Sequence, residues 1–339
     1  MRRHGVVVQA GALAGAVTRA LLALAVAALT ATWGATAQPS SDYVLFSVNV
    51  QDFGYPAESA AVLDRIVVLH ETLGVPLDVY LTDVMAHLYT EQFPALLDRL
   101  RTSPVVAVSY HVRPPRPYAN RYDWLGLQRM DEAQLHETVL RYETHAVDPI
   151  SGLTTASPGG YQAVAALIGY PPYAAASSAQ DPRVDDAVMR VFRQLGARLT
   201  TTHGRAINLG DEKDGLSLRP EHVDLRLFEH VGQDATSVFD AALNQAHRAS
   251  RGQAPYFVGV KVHDNDFFAE QSAWVTVYVD GGKRPDWDPS LRAPLLDPAQ
   301  REAMWTLYEQ TVRHVAAQAS QISAVNLAGV LALLGQSGD

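Results

Sequence analysis

The 339-residue sequence contains no cysteine. That absence removes disulfides, cysteine-ligated zinc and thiol nucleophiles from the chemistry open to it. Neither a G-x-S-x-G elbow nor an H-E-x-x-H helix occurs, which leaves serine-hydrolase and common zinc-protease mechanisms without support. A glycine-rich phosphate loop is also missing, so no nucleotide is expected. With 27 basic against 36 acidic residues the formal charge is −9, and no basic stripe stands out. Nucleic acid is therefore not an expected partner. The same balance disfavours an acidic polysaccharide, unless a local basic pocket outweighs the net charge. There is no internal repeat and no low-complexity segment.

Long apolar runs are scarce too. The best one, Ala20 to Ala31, is about a dozen residues, short of the roughly 20 needed to span a bilayer. Arg2, Arg3 and Arg19 precede it, and Ala35-Thr36-Ala37 follows. A charged start, a short apolar core and an A-x-A site read as a secretory signal over 1–37, with an uncleaved anchor as the alternative. The expectation is a secreted or periplasmic protein, without a stable membrane anchor after cleavage. Residues 38–339 are long enough for one large α/β barrel and can bury a core without staples.

What remains alternates between strand and helix. Tyr43 to Val50 reads as the first strand. Glu58 to Thr72 carries Ala61, Leu63, Ile66, Val67, Leu69 and His70 at helical spacing and ends on Gly74. Strand Pro76 to Thr82, helix Glu91 to Arg101 and strand Val105 to Tyr110 follow. Arg113 to Tyr122 reads as a long loop. Helices are expected over Asp131 to His145, Gly159 to Ile168, Val184 to Leu195, Ser237 to His247 and Pro298 to Gln318. Further strands are expected near Pro171 to Ala175, Arg198 to Thr202, Leu225 to Glu229 and Tyr256 to Val262, with Ile322 to Leu334 closing the chain. Such alternation favours a parallel (β/α) barrel over a sandwich.

In parallel barrels the chemistry gathers at the carboxyl ends of the strands. Five strand ends here finish on polar residues: Asn49 with Asp52, Thr82 with Asp83, His111, His203, and His263-Asp264-Asn265-Asp266. A strand leaving any core also ends in polar residues, so it is the convergence of five that points to a site.

Ser47-Val48-Asn49-Val50-Gln51-Asp52-Phe53 resembles the first motif, S-V-D-V-E-D-[YW]-F, of one branch of the polysaccharide deacetylases, the NodB-like members of the glycoside hydrolase/deacetylase barrels. Gly74-Val75-Pro76-Leu77-Asp78-Val79-Tyr80-Leu81, Gln92-Phe93-Pro94-Ala95-Leu96-Leu97, Val108-Ser109-Tyr110-His111 and Val260-Lys261-Val262-His263 are similar to later family segments. The resemblance implies a seven-stranded NodB-like barrel and hydrolysis of a carbohydrate substrate, with a divalent metal, zinc in most members, as cofactor. It places Asp52 and His111 on the metal, His263 on the general acid, and Asn49 where the general base stands. The family's second metal histidine has no counterpart, since Pro114, Pro115 and Arg116 follow His111. His203 is the candidate to complete the shell.

Three readings stay open. One is a metal-dependent deacetylase with its base recruited from Asp83 or Asp266. Another is a metal-independent glycoside hydrolase using Asp52 with Asp264, Asp266 or Glu229 as its carboxylate pair. The third is a carbohydrate-binding member without turnover. Candidate substrate contacts are Tyr80 on the second strand, Arg113 in the proline-rich loop, Lys261 and Trp274. Lys261 alternates to the same face as His263, where it would enter the site or pair with Asp52. Trp274 and Tyr278 offer aromatic faces suited to a pyranose or to the core. Arg113 and Arg116 would either clamp a substrate or pin a rigid loop.

Overall fold

The computed structural model describes residues 41–119, 122–202, 204–278 and 286–336. The proposed signal segment and His203 lie outside the described residues. No helix among the described residues is long and apolar enough to cross a membrane.

The first strand, β1 (Asp42–Val50), shows why the chain builds a barrel. Val44, Phe46, Val48 and Val50 pack into the large core beneath the helices, whereas Tyr43 and Leu45 belong to a second, inner cluster. A strand covered on both faces must be apolar on both, which explains the unbroken run. Helix α1 (Pro56–Leu73) follows, opened by Pro56 and closed by Gly74 at φ 65°, a left-handed cap that favours glycine. Next come β2 (Leu77–Leu81), α2 (Asp83–Gln92), α3 (Pro94–Thr102) and β3 (Val106–His111). The single helix expected over Glu91 to Arg101 is in fact the end of one helix and the start of another. Pro94 has no N–H to give the preceding turn and instead opens α3. Thr82 caps α2 by accepting from the Met85 N–H at 3.2 Å.

The chain continues through α4 (Glu132–Thr144), the hairpin β4 (His145–Val147) and β5 (Thr154–Pro158), α5 (Gly160–Ile168), β6 (Ala175–Ala176) and α6 (Pro182–Gln194). Then follow β7 (Leu199–Thr200), β8 (Glu212–Lys213), β9 (Leu216–Leu218), β10 (Val223–Arg226), α7 (Ala235–Ala249) and β11 (Tyr256–His263). The last elements are α8 (Ala273–Val277), α9 (Pro298–Ala317), β12 (Ile322–Ala324) and α10 (Leu327–Gln336).

Pairing runs β10-β11-β1-β2-β3-β6, all parallel. From β6 a parallel bridge, Ala174 to Leu199, reaches β7, which pairs in parallel with β9. The stretch 216–226 then bonds β7 on one side, through Arg219 N–H to Thr200 O at 2.9 Å, and β11 on the other, through His222 N–H to Phe257 O at 2.9 Å. That stretch closes the ring, giving the expected parallel (β/α) barrel with seven strand positions. β12 pairs with the first three residues of β1, outside the ring.

The barrel interior changes character along its axis. Tyr43, Leu45, Phe257, Leu327 and Val330 plug the end where the strands begin. One pleat up, Ser47, Asp78 and Gly259 replace apolar side chains, and Asn49, Tyr80, His111 and Lys261 follow above them. Gly259 has a steric reason: a Cβ there would collide with the Glu221 carboxylate and the Arg219 guanidinium, which pair inside the ring.

Candidate functional site

A cleft of about 550 Å³ opens at the carboxyl ends of the strands. Its walls include Ser47 and Asn49 from β1, Tyr80 from β2, His111 from β3, Lys261 from β11, and Arg113 from the loop after β3. Trp274 of α8, the segment 176–180 after β6, Thr201, Thr202 and Arg219 complete much of it. The parallel register sets Asn49 between Tyr80 and His263, and Ser47 beside Lys261.

Six of the sequence candidates therefore meet: Asn49, Tyr80, His111, Arg113, Lys261 and Trp274. Arg113 is half-buried; its Nε donates to Gln51 Oε1 at 2.6 Å and its guanidinium lies 5.1 Å from the Trp274 ring centre. Burial pulls its pKa down to about 9, which leaves it charged at neutral pH. Burial likewise lowers the Lys261 ammonium, with Asp224 acting against that and the nearby Arg113 and Arg219 adding to it. Arg116 has the other of the two roles considered for these arginines. It is buried in an ion pair with Asp83 and does not face the cleft.

Asp52, Asp264, Asp266 and His263 are not among the cleft-lining residues. The Asp52 carboxylate accepts the Tyr55 N–H at 3.1 Å and the Ala273 N–H at 2.9 Å, so both oxygens hold backbone. Burial raises its pKa, while those N–H groups lower it. Asp264 Oδ2 accepts the N–H groups of Gln51 at 3.1 Å and Asp52 at 3.0 Å and the Ser59 hydroxyl at 2.6 Å, and Oδ1 accepts the Asn265 N–H. Burial and the neighbouring Asp52 push Asp264 up to about 6. His263 Nδ1 sits 3.2 Å from Asp266 Oδ2, which also accepts the His263 N–H at 2.7 Å. Of the other carboxylates considered, Asp83 is locked to Arg116, and Glu229 is an exposed partner of Arg226.

The donor set for a metal does not assemble from the described residues. Asp52 is committed to backbone, His111 stands in the cleft wall, and no group of three or more His, Asp or Glu among the described residues could hold an ion.

Asp264 has the geometry of a staple holding the end of β1. Removing it leaves the buried Gln51 and Asp52 N–H groups without acceptors. Asp264→Ala is expected to cost about 2–3 kcal/mol in urea unfolding; a loss below about 0.5 kcal/mol would contradict the staple.

Sequence reasoning missed Arg219, Ser47, Lys213 and the segment 176–180. Ser47 opens the first motif without being singled out, and Arg219-Pro220-Glu221 puts opposite charges two residues apart, on one face of an extended segment.

No family's sequence profile matches the chain, and no curated protein matches it either. Solved structures are similar in fold at low identity. A 4-α-glucanotransferase from Thermococcus litoralis aligns over 86% of this chain and 40% of its own, at 11% identity and TM-score 0.49. A Mycobacterium smegmatis protein assigned as a polysaccharide deacetylase aligns over 89% and 93%, at 11% identity and TM-score 0.48. A peptidoglycan deacetylase from Bacillus subtilis aligns over 89% and 95%, at 10% identity and TM-score 0.42. At this distance the likenesses do not bear on substrate or reaction, which rest on the cleft.

Proposed function

We propose that this protein is a carbohydrate-recognition barrel whose ligand lies in the cleft at the strand ends. The observation that carries the reading is the lining itself. Asn49, Tyr80, Thr201, Thr202 and Ser177 supply amide and hydroxyl groups, and Trp274 supplies an aromatic face. Sugars need that mixture, since hydroxyls take directional hydrogen bonds while the ring's C–H face packs on an aromatic plane. Among the described residues the only carboxylate in the lining is Asp185, and it is paired with Lys213. A glycosidase needs two carboxylates flanking one bond, so the cleft fits binding better than metal-free glycosidic cleavage.

The likenesses to deacetylases and the family resemblance of the first 80 residues after the leader agree with a carbohydrate ligand without adding weight. The charged start, short apolar core and A-x-A of residues 1–37 support placement outside the cytoplasm.

Isothermal titration of the protein with a panel of neutral and charged oligosaccharides tests the reading. At least one is expected to bind, with Trp274→Ala weakening it about tenfold, the scale of a lost stacking contact. Silence across the panel would end the proposal.

The His263–Asp266 pair, outside the cleft lining but with His263 the strand neighbour of the cleft residue Asn49, favours a second reading, hydrolysis of an acetylated glycan. A histidine oriented by a carboxylate can hold and deliver a proton. Acetate release that disappears in His263→Gln would establish turnover. Metal analysis of the same preparation would show whether a divalent ion such as zinc accompanies it.

A further inference from the structure

Among the described residues four cations line the cleft, Arg113, Arg219, Lys213 and Lys261, against one carboxylate, Asp185. In a chain of charge −9 that is a local inversion of sign. Two of the four are already neutralised: Lys213 pairs with Asp185, and Arg219 with Glu221. Arg113 and Lys261 form no ion pair with any carboxylate among the described residues. Arg113 spends its donors on the Gln51 side-chain oxygen and the Val112 carbonyl. Both are half-buried and border the same cavity. Asp224 and Glu221 act on Lys261 and Asp264 on Arg113 without a direct ion pair, so an anion in the cavity would give each desolvated cation a contact partner.

The cleft floor holds a second, independent observation. Tyr80 is 6% exposed, and its hydroxyl makes no hydrogen bond with any described residue. Arg219, 7% exposed, likewise leaves its Nε unpaired. Buried polar groups without partners are rare in finished proteins, and these two border the cavity, where an ordered water or a ligand atom can reach them.

We infer that the cleft selects an anionic sugar, a uronate whose carboxylate lies between Arg113 and Lys261 while its ring packs beside Trp274. The Arg113 guanidinium lies over the Trp274 ring, 5.1 Å from its centre, so a carboxylate drawn to Arg113 brings its sugar up to Trp274. Asn49 and Tyr80 are placed to orient it from β1 and β2. The net-charge argument against acidic polysaccharide thus yields to the local pocket.

The inference rests on the carbohydrate reading above, and the experiment separates the two. Binding of an oligogalacturonate and of a hyaluronan hexasaccharide is measured by titration calorimetry on the full chain. Each is set against its carboxyl-reduced, neutral counterpart. The charged form of at least one pair is expected to bind tenfold or more tighter, with the advantage shrinking at high salt. Lys261→Met and Arg113→Gln should each remove most of that advantage, bringing the charged form down toward its neutral counterpart in the same variant, and Lys261→Arg should retain it. Equal or tighter binding of both neutral forms overturns the anionic specificity and leaves carbohydrate recognition standing. Binding of neither form of either sugar overturns the anionic inference, and the wider oligosaccharide panel then decides the carbohydrate reading. Melting temperatures of the variants within a few degrees of the parent exclude misfolding as the cause.

Discussion

Arg116→Met is expected to destabilise the protein by about 3–5 kcal/mol, the scale for removing one partner of a buried ion pair. Two carboxylates depend on this one guanidinium. Nη1 and Nη2 donate to the two oxygens of Asp83 at 2.9 and 2.7 Å, and Nε lies 3.6 Å from Glu143 Oε1. The side chains of Arg116, Asp83 and Glu143 are 3%, 3% and 0% exposed, so water cannot take over. Burial works to raise Asp83, but the Arg116 charge and hydrogen bonds outweigh it, and the net pKa is lowered. Burial dominates at Glu143, which is pushed up to about 7 despite Arg116, the Tyr118 hydroxyl and the Tyr161 N–H.

Asp83 therefore contributes stability above its unfolded pKa that is lost as pH falls, and Arg116→Met removes the source of that contribution. The deficit should be widest near pH 8 and narrower near pH 5, where both orphaned carboxyls take up protons more readily. Urea unfolding at the two pH values measures this. Asp83→Leu added to Arg116→Met should recover part of the loss, because a pair replaced by apolar side chains costs less than a pair broken. A single-variant loss under about 1 kcal/mol would mean that the pair does not hold the loop. The consequence reaches the cleft, because Arg116 anchors the same proline-rich turn that presents Arg113 three residues earlier.

How much of this was readable beforehand depended on whether a residue's role is set locally. The strands of the barrel announce themselves because both faces are covered, and Gly74 announces the end of α1 because a left-handed cap needs it. Asn49, His111 and Lys261 were legible because a strand's alternation fixes which face a residue takes. Asp264 illustrates the limit. Its position after β11 drew attention, but its hydrogen bonds go to Gln51, Asp52 and Ser59, more than 200 residues away in sequence. Arg219 is a similar case. It comes from an irregular stretch whose barrel-closing role depends on two neighbours, β7 and β11, that no local pattern specifies. The break at Pro94 was legible in principle, since proline opens helices more readily than it continues them.

The interior carboxylate Asp78 leads to the other large expected effect, and its sign is opposite to that of Asp83. Asp78 faces into the barrel, where Oδ1 accepts the Leu327 N–H at the start of α10 at 2.9 Å and Oδ2 has no partner among the described residues. Burial pushes its pKa up to about 7, with the Leu327 N–H and Arg219 acting to lower it. Arg219, Tyr80 and Glu221 are the charged and titratable groups that share this interior with it.

A carboxyl whose folded pKa exceeds its unfolded value is favoured in the folded protein while protonated. Its contribution is complete below about pH 4 and is lost as pH rises through about 7. At 1.36 kcal/mol per unit the full span is at most about 4 kcal/mol. Asp78→Asn keeps an oxygen for Leu327 and removes the ionisation. The variant should therefore gain on the parent as pH rises from 5 to 8, ending on the order of 2–4 kcal/mol more stable. Parallel stability curves for parent and variant across that range would show that Asp78 ionises in the folded barrel as freely as in the unfolded chain. The Arg219–Glu221 pair would then have to compensate the buried charge. A divergence of the expected sign would instead mean that the protonated Asp78 leaves Arg219 matched to Glu221 alone, with Arg113 and Lys261 still outside any direct ion pair among the described residues.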